Sequence, residues 1–342
     1  MSTASGETGS GFGRRNFLAG TSALSAASLL GLPRTAASEP PPPETNKIRL
    51  IHSPAICLAP QYVAEDLLRL EGFSEVEYVK TEVSSLEDLA GGRADVTMWD
   101  AFGALPILDA GKPILLIGGI HAGCFELFAR GAIHALRDLK GKTVAVYALG
   151  QGAHLLVASM LAYVGMNPSQ DVHWVAGERA EDAMRLFAEG KTDAFIGFPP
   201  HPQELRAKQV GHVILDTSQD RPWSQYFCCM LGANRHFAEK NPIATKRALR
   251  AFLKAADICA QEPVRAARYI VDKGYEPRYQ VAYEVLTQVS YRRWREAHPE
   301  HSLRFYALRL HEVGMIKTNP DKLIARGTDW RFLNELKKEL KA

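Results

Sequence analysis

The chain has 342 residues, with 41 lysines and arginines, 38 acidic side chains and a formal net charge of +3. Removing residues 1–37, which hold three of the arginines and one glutamate, leaves a net charge of +1. The nearly neutral charge of residues 38–342 argues against nucleic acid as a partner, because nucleic-acid binding needs a concentrated basic face. The 305 residues that remain are enough for two lobes with separate cores.

Residues 1–37 have the features of an export signal. A polar start is followed by Arg14-Arg15, a short apolar stretch over 18–32 and small residues before Ala37. The segment resembles a twin-arginine (Tat) signal, and its apolar stretch is too short and too rich in Ser and Gly for a good membrane span. We expect cleavage near Ala37, a Pro-rich linker over 38–46 and a periplasmic location.

From residue 47 onward, strand and helix patterns alternate, which predicts parallel sheets covered by helices. The predicted strands are 47–52, 76–83, 94–99, 114–120, 143–147, 172–175, 194–198 and 212–215. The predicted helices are 61–70, 85–90, one ending at 110, 153–165, 180–188, 244–261, 263–273, 279–295, 303–313 and 330–341.

Two similar strings occur in this pattern. Gly91-Gly92-Arg93-Ala94-Asp95 and Gly190-Lys191-Thr192-Asp193-Ala194 each follow an amphipathic helix and lead into an apolar strand. Their aspartates lie 98 positions apart, which is the size of one small α/β lobe. The repetition predicts two lobes of similar construction with a cleft between them.

The predicted partition is discontinuous. Residues 125–130 and 225–231 have the pattern of two strands that cross between lobes. Lobe I is then 47–124 plus 232–342, and lobe II is 125–231 including both crossing strands. Two connecting strands make a hinge that allows bending but limits other movements of one lobe relative to the other. The alternative is a single large doubly wound domain.

The two similar strings, the Arg14-Arg15 leader and the segment Asp138-Leu139-Lys140-Gly141-Lys142 before a predicted strand resemble one family. It is the nitrate, sulfonate, taurine and bicarbonate family of substrate-binding proteins of bacterial ABC importers, and the likeness covers nearly all of residues 47–342. The resemblance implies an α/β, two-lobe periplasmic-binding-protein fold of type II, with two crossing strands as the hinge and a small solute held between the lobes. It also implies an ABC permease, and through it an ATPase, as partners.

The same family includes relatives that make the pyrimidine of thiamine and carry a run of cysteines near a crossing strand. Here Cys228 and Cys229 occupy a comparable place, with two cysteines where that motif has more. The five cysteines of this chain show no metal-binding spacing and no disulfide framework, and buried inert thiols are the simpler interpretation. We therefore predict no metal, no cofactor and no catalytic residue.

Ligands of parallel α/β sheets bind at the carboxyl ends of the strands. Four segments of this chain lie at such ends. The candidate ligand-binding residues in them are Ser53, Ile56, Cys57, Trp99, Asp100, Gly150, Gln151, Gly152, His154, Phe198 and Pro199.

Two of these segments suggest opposite ends of a ligand. The glycines at 150 and 152 precede a predicted helix, whose first N–H groups suit an anionic head group. Asp100 attracts amines or other N–H donors, or instead caps the helix that follows it. Trp99 and Phe198 are candidate apolar walls or core residues, and a structural role is favoured for His121.

The sequence as a whole predicts a binding protein rather than an enzyme. We expect a monomeric, periplasmic solute-binding component of an ABC importer, taking a small organic nitrogen or sulfur compound that is sulfonate-like, taurine-like or pyrimidine-like. The alternatives are a pyrimidine-synthesis-like enzyme and a soluble sensor subunit that presents a ligand to a receptor.

Overall fold

The computed structural model of the chain describes residues 41–53, 55–80 and 86–341. The predicted signal peptide, the first three residues of the predicted linker (38–40) and residues 81–85, which include parts of the predicted second strand and of the helix after it, lie outside these ranges. The strands are β1 (Lys47–Ile51), β2 (Glu75–Val79), β3 (Val96–Asp100), β4 (Ile114–Ala122), β5 (Glu126–Ala129), β6 (Thr143–Val146), β7 (His173–Ala176), β8 (Ala194–Gly197), β9 (His212–Asp216) and β10 (Phe227–Asn234).

Helices cover both sheets and make up the end of the chain. They are α1 (Ala59–Leu70), α2 (Leu86–Ala90), α3 (Ala101–Asp109), α4 (Gly152–Tyr163), α5 (Ala180–Ala188), α6 (His201–Ala207), α7 (Arg235–Lys240), α8 (Pro242–Gln261), α9 (Pro263–Asp272), α10 (Tyr279–Gln288), α11 (Arg293–Glu296), α12 (Pro299–Glu312), α13 (Pro320–Gly327) and α14 (Arg331–Glu339). Among the described residues, no helix is both long and apolar enough to cross a bilayer.

The strands form two five-stranded sheets of the same design. The first sheet has the order β2-β1-β3-β10-β4 and the second the order β7-β6-β8-β5-β9. In each sheet three parallel strands are followed by one antiparallel strand, β10 in the first and β5 in the second. These antiparallel strands are the ones that the chain enters directly after passing from one sheet to the other.

The chain passes between the sheets twice, through residues 123–125 and 217–226. The predicted crossing strands lie beside these two segments, but each belongs to a sheet. The structure places residues 227–231 in the first sheet, whereas the predicted boundary assigns them to lobe II. The positions of the lobe boundaries otherwise stay a prediction.

The aspartates of the two similar strings do the same work in the two sheets. Asp95 accepts the N–H of Arg49 at 2.8 Å, and Asp193 accepts the N–H of Thr143 at 2.8 Å. The backbone N–H of each aspartate also donates to the carbonyl of that same partner residue. Each aspartate therefore fastens the start of one parallel strand, β3 or β8, to the neighbouring strand, β1 or β6, which explains why the two strings look alike.

The predicted helix over 279–295 is wrong, because the structure breaks it after Gln288. Val289 adopts an extended conformation and Ser290 pairs with Ala122 of β4. This break places the fully buried Tyr291 beside the first crossing. The helical periodicity of the sequence continues across residues 279–295, so the sequence alone does not reveal the break after Gln288.

Three short helices, α6, α7 and α13, escape the sequence analysis because they have too few turns to show a period. Two of them carry cap signals instead. Asn234 accepts the N–H of Phe237 at the start of α7, and Asn319 accepts the N–H groups of Asp321 and Lys322 at the start of α13.

Candidate functional site

The candidate residues lie where the sheets present their strand ends to each other. Asp100 is the last residue of β3, Gly152 is the first residue of α4 after β6, and Phe198 follows β8. Asp100 ends a strand of the first sheet, and Gly152 begins the helix that follows a strand of the second sheet. The two residues are in direct contact. A Cβ atom placed on Gly152 would lie 2.5 Å from the Oδ2 atom of Asp100.

The carboxylate of Asp100 lies between two glycines. On its own side, its Oδ1 atom accepts the N–H of Gly103 at 2.6 Å and caps α3. A Cβ on Gly103 would lie even closer to Oδ1 than the one on Gly152 would lie to Oδ2. Only residues without a side chain allow the carboxylate to approach both helices so closely.

The surroundings of Asp100 favour its protonated form. Burial, together with the negative charge of a neighbouring Cys229 thiolate, raises the pKa of Asp100 to about 8. The hydrogen bond from the N–H of Gly103 lowers the pKa but does not cancel this effect. Burial also raises the pKa of Tyr147, with a smaller contribution from the charge of Asp100, while the N–H groups of Ala153 and Gly152 oppose that shift. The first turn of α4 thus faces a tyrosine hydroxyl and a carboxyl group.

Aromatic side chains and helix packing also join the two sheets. The Phe198 ring lies 5.6 Å from that of Phe125 in the first crossing and 6.1 Å from that of Tyr147. Helix α4 packs against α3 and α12, which belong to the side of the first sheet. On another edge, Arg206 of α6 donates to Glu284 of α10 at 2.9 Å.

Several candidate residues point elsewhere. Ser53 lies beside Tyr62, and its N–H donates to the tyrosine hydroxyl at 2.9 Å. His154 turns into the second lobe, where its Nδ1 atom accepts the N–H of Gly150 at 3.0 Å and its ring packs on Trp174. Burial lowers the pKa of His154, so the ring is neutral near neutral pH. Gln151 is the exposed N-cap residue of α4 and makes no side-chain cap bond.

The other candidates line or support the same region. Trp99 is partly buried and packs on the core, with its backbone in register with Met230 of β10. Pro199 is buried. Ile56 and Cys57 form a short buried turn directly after β1, and the carbonyl of Cys57 accepts the Tyr291 hydroxyl at 3.1 Å.

A buried group of sulfur and imidazole side chains lies next to Asp100, and no pattern in the sequence predicts it. Their ligand atoms all lie within 4.8 Å of one another. We call this group the Cys3His cluster; its members are Cys57, His121, Cys124 and Cys229. Cys228 adjoins it, with its sulfur 3.2 Å from that of Cys124.

The prediction of buried thiols is confirmed for all five cysteines. Their convergence escaped prediction because the members of the cluster are far apart in sequence. The one local signal is the spacing of His121 and Cys124, which lie three positions apart. Burial opposes protonation of His121, but the negative charge of a neighbouring Cys229 thiolate, with a smaller effect of Cys57, outweighs it and raises the pKa of His121 to about 10.

Two sheets of one design, joined by two crossings and facing each other across their strand ends, define a two-lobe periplasmic-binding-protein fold of type II. Residues 128–271 of the chain match the NMT1-like family. The periplasmic nitrate-binding protein NrtA from Synechocystis PCC 6803 superposes with a TM-score of 0.73 at 15% identity, covering 88% of this chain and 90% of that one. The alkanesulfonate-binding protein SsuA from Xanthomonas axonopodis, bound to MOPS, superposes with a TM-score of 0.68 at 17% identity, covering 84% and 99%.

One curated relative is named as an enzyme, in contrast to these two binding proteins. The chain is 25% identical over 214 residues to the 4-amino-5-hydroxymethyl-2-methylpyrimidine phosphate synthase THI12 of Saccharomyces cerevisiae, covering 58% of this chain and 61% of that protein. The chain thus spans about three-fifths of the length of the curated relatives it matches. Together, these comparisons confirm the predicted fold and the predicted resemblance.

Proposed function

We propose that this chain is the solute-binding component of an ABC importer, and that it works in the periplasm as a monomer after export. The observation that carries this proposal is the contact between Asp100 and Gly152. It brings the carboxyl end of a strand in one sheet against the N-terminus of a helix in the other. A site assembled from both lobes is completed only when they close, as a binding protein requires.

The geometry favours a ligand with two unlike ends. An acidic head group would lie on the first N–H groups of α4, where helix N-termini bind anions. An amine or N–H donor would face Asp100. In the described structure Asp100 and Tyr147 lie at the start of α4 themselves, so a ligand of this kind would displace the carboxyl group when the lobes open.

The class of solute we propose is a small organic nitrogen or sulfur compound. Amino-sulfonates such as taurine have both ends, and so do acid-bearing aminopyrimidines. The four loops at the strand ends contain no lysine or arginine, which argues against a bare compact anion that needs a full cationic partner. The nitrate and alkanesulfonate ligands named for similar structures are consistent with an anionic head group.

A thermal-shift screen of the full chain tests this proposal. The panel contains taurine, alkanesulfonates, nitrate, small carboxylates, amines and aminopyrimidines, and calorimetry then measures the affinity of any compound that raises the melting temperature. We expect a compound with both an acid and an amine to stabilise the chain. We also expect the source organism to need the gene for this chain in order to grow on that compound. A panel without any stabilising compound would contradict the proposal.

The second candidate is an enzyme of pyrimidine synthesis, favoured by the 25% identity to the yeast synthase. Incubation of the purified chain with candidate precursors, followed by mass spectrometry for a new pyrimidine, separates the two. A sensor subunit would bind the same solute, and a neighbouring kinase or cyclase gene in place of a permease gene would indicate it.

A further inference from the structure

The Cys3His cluster has the ligand set and dimensions of a metal centre. We propose that its three sulfurs and one imidazole hold a single thiophilic divalent metal ion, with Zn²⁺ as the favoured occupant. This inference is independent of the proposed transport function, because it depends only on the first sheet and the crossings.

The distances fit one tetrahedral ion. Zinc lies about 2.3 Å from a thiolate sulfur and about 2.0 Å from an imidazole nitrogen. Ligand atoms at the corners of such a tetrahedron are therefore about 3.5 to 3.8 Å apart. The observed limit of 4.8 Å requires each side chain to move inward by only a fraction of an ångström.

His121 is already oriented as a metal ligand. Its Nδ1 atom lies 3.2 Å from the carbonyl oxygen of Ala122 and donates to it, so Nε2 is the nitrogen left for a metal ion, which would displace any proton there. The Nε2 atom is fully buried and has no hydrogen-bond partner among the described residues. Ligating histidines are oriented in the same way, by giving their other ring N–H to a carbonyl or carboxylate.

Burial means that a thiolate in this cluster needs a counter-charge. The four side chains are between 0% and 6% exposed, so a thiolate there has lost its hydration. A buried unpaired charge costs several kcal/mol unless a counter-charge offsets it. A divalent ion supplies that counter-charge, and three thiolates with one neutral imidazole are a usual zinc ligand set.

The ligands come from both ends of the hinge. Cys124 lies in the first crossing, Cys229 follows the second crossing in β10, and His121 is next to it in the sheet register. Cys57 belongs to the turn after β1, at the strand end that faces the cleft. A bound ion would fasten both crossings to the first sheet and leave the second sheet free to move.

A competing chemistry is available to the same sulfurs. The Cys124 and Cys228 sulfurs are 3.2 Å apart, so oxidation by a disulfide-forming partner would join them and remove one metal ligand. The metal proposal requires both thiols to stay reduced in the loaded protein.

Metal analysis of the full chain, purified anaerobically with a phosphine reductant, tests the proposal. We expect one zinc ion per chain, and after exchange with Co²⁺ the intense visible absorption of tetrahedral thiolate-ligated cobalt. Protein without metal, stoichiometric iron in place of zinc, or a Cys124–Cys228 disulfide found by thiol counting would each overturn it.

Variants test the ligand set. Cys229→Ser and His121→Ala should weaken Co²⁺ binding at least tenfold, whereas His121→Cys should keep a four-ligand site and shift the cobalt spectrum. Cys259→Ala removes a buried thiol outside the cluster and Cys228→Ser removes the adjacent one, and both should keep the metal. Loss of metal in either control, or retention in Cys229→Ser, would overturn the assignment. Circular dichroism of each variant separates loss of a ligand from loss of folding.

Discussion

Asp100 combines two roles that the sequence analysis treats as alternatives. It caps α3 through the N–H of Gly103, and the same carboxylate reaches across to the first turn of α4. The cap is a contact within the β3–α3 unit, while the approach to Gly152 joins this unit to the start of α4 after the second sheet. The two roles can therefore be separated by substitution.

We expect Asp100→Asn to leave stability nearly unchanged and to weaken solute binding at least tenfold. Asparagine caps helices as well as aspartate does, but it cannot become the carboxylate that pairs with the amine of the ligand once the ligand separates Asp100 from α4. Asp100→Ala should also lose about 1 kcal/mol of unfolding free energy through the cap. Thermal melting and calorimetry measure the two effects separately.

Asn319→Ala is the matched control for Asp100, because Asn319 caps α13 with its side chain at an exposed position. It should lose a similar amount of stability and bind solute normally. If Asp100→Asn binds solute as the natural chain does, Asp100 is a helix cap and nothing more.

Asp193 gives a second residue-scale prediction, concerning pH. Hydrogen bonds from the N–H and the hydroxyl of Thr143, the backbone bond being the larger effect, hold the pKa of Asp193 below its usual range. Because the pKa in the folded state is below that in the unfolded state, the stabilisation is present above about pH 4 and is lost as pH falls through the folded-state value.

We expect Asp193→Ala to destabilise the chain by about 1 to 3 kcal/mol at pH 7, with the difference shrinking towards pH 2. Urea denaturation across this pH range measures it. A destabilisation that stays constant with pH would contradict the strand-fastening role of the ionised carboxylate.

At the scale of elements, most of the parallel core could be predicted from its apolar runs. β4 is a continuous apolar strand buried along its whole length, and the two similar strings mark the starts of β3 and β8. What could not be predicted is set by contacts between distant residues. The break at Val289 and the Cys3His cluster depend on the pairing of β4 with β10 and with Ser290, which no local pattern records.

The two glycines beside Asp100 support a prediction about α3 and α4. Gly152→Ala would place a Cβ between the first N–H groups of α4 and Asp100, in the space that the proposed ligand must occupy, so solute affinity should fall at least tenfold. Gly103→Ala would place a Cβ against the same carboxylate from within one lobe, so it should mainly lower the melting temperature. Both substitutions are measured by calorimetry and melting.

Gly91→Ala is the control, since its Cβ would approach the carbonyl oxygens of Glu87, at 3.2 Å, and of Asp88, at 3.9 Å, and not Asp100. It should bind solute normally. Equal loss of affinity in Gly103→Ala and Gly152→Ala would show that the approach across the cleft has no special part in binding.

At the scale of the whole molecule, two kinds of contact hold the lobes together. One is apolar, where α4 packs on α3 and α12, and Tyr163 of α4 packs on Phe305 of α12. The other is ionic, between α6 and the helices after residue 272. Arg206 donates to Glu284 at 2.9 Å and Arg278 donates to Glu204 at 2.7 Å.

The ionic contacts join residues of the two lobes and are partly exposed, with side chains 27% to 44% exposed, so they are well placed to influence closure. An exposed ion pair contributes about 0.2 to 1 kcal/mol, so removing both changes the ratio of closed to open molecules by a factor of about 2 to 30. This range is large enough to observe and too small to unfold either lobe. High salt should weaken the same pairs through screening.

We therefore expect the double variant Glu204→Gln, Glu284→Gln to have a larger radius of gyration by small-angle X-ray scattering and a lower affinity for solute. Its melting temperature should stay within a few degrees of that of the natural chain, because each lobe keeps its core. Glu189→Gln is the matched control, since Glu189 pairs with Lys191 and Arg185 inside one lobe. Raising the salt concentration should expand the natural chain and leave the double variant unchanged. If both proteins respond equally to salt, the ionic contacts do not govern closure and the apolar packing of α4 must hold the lobes together.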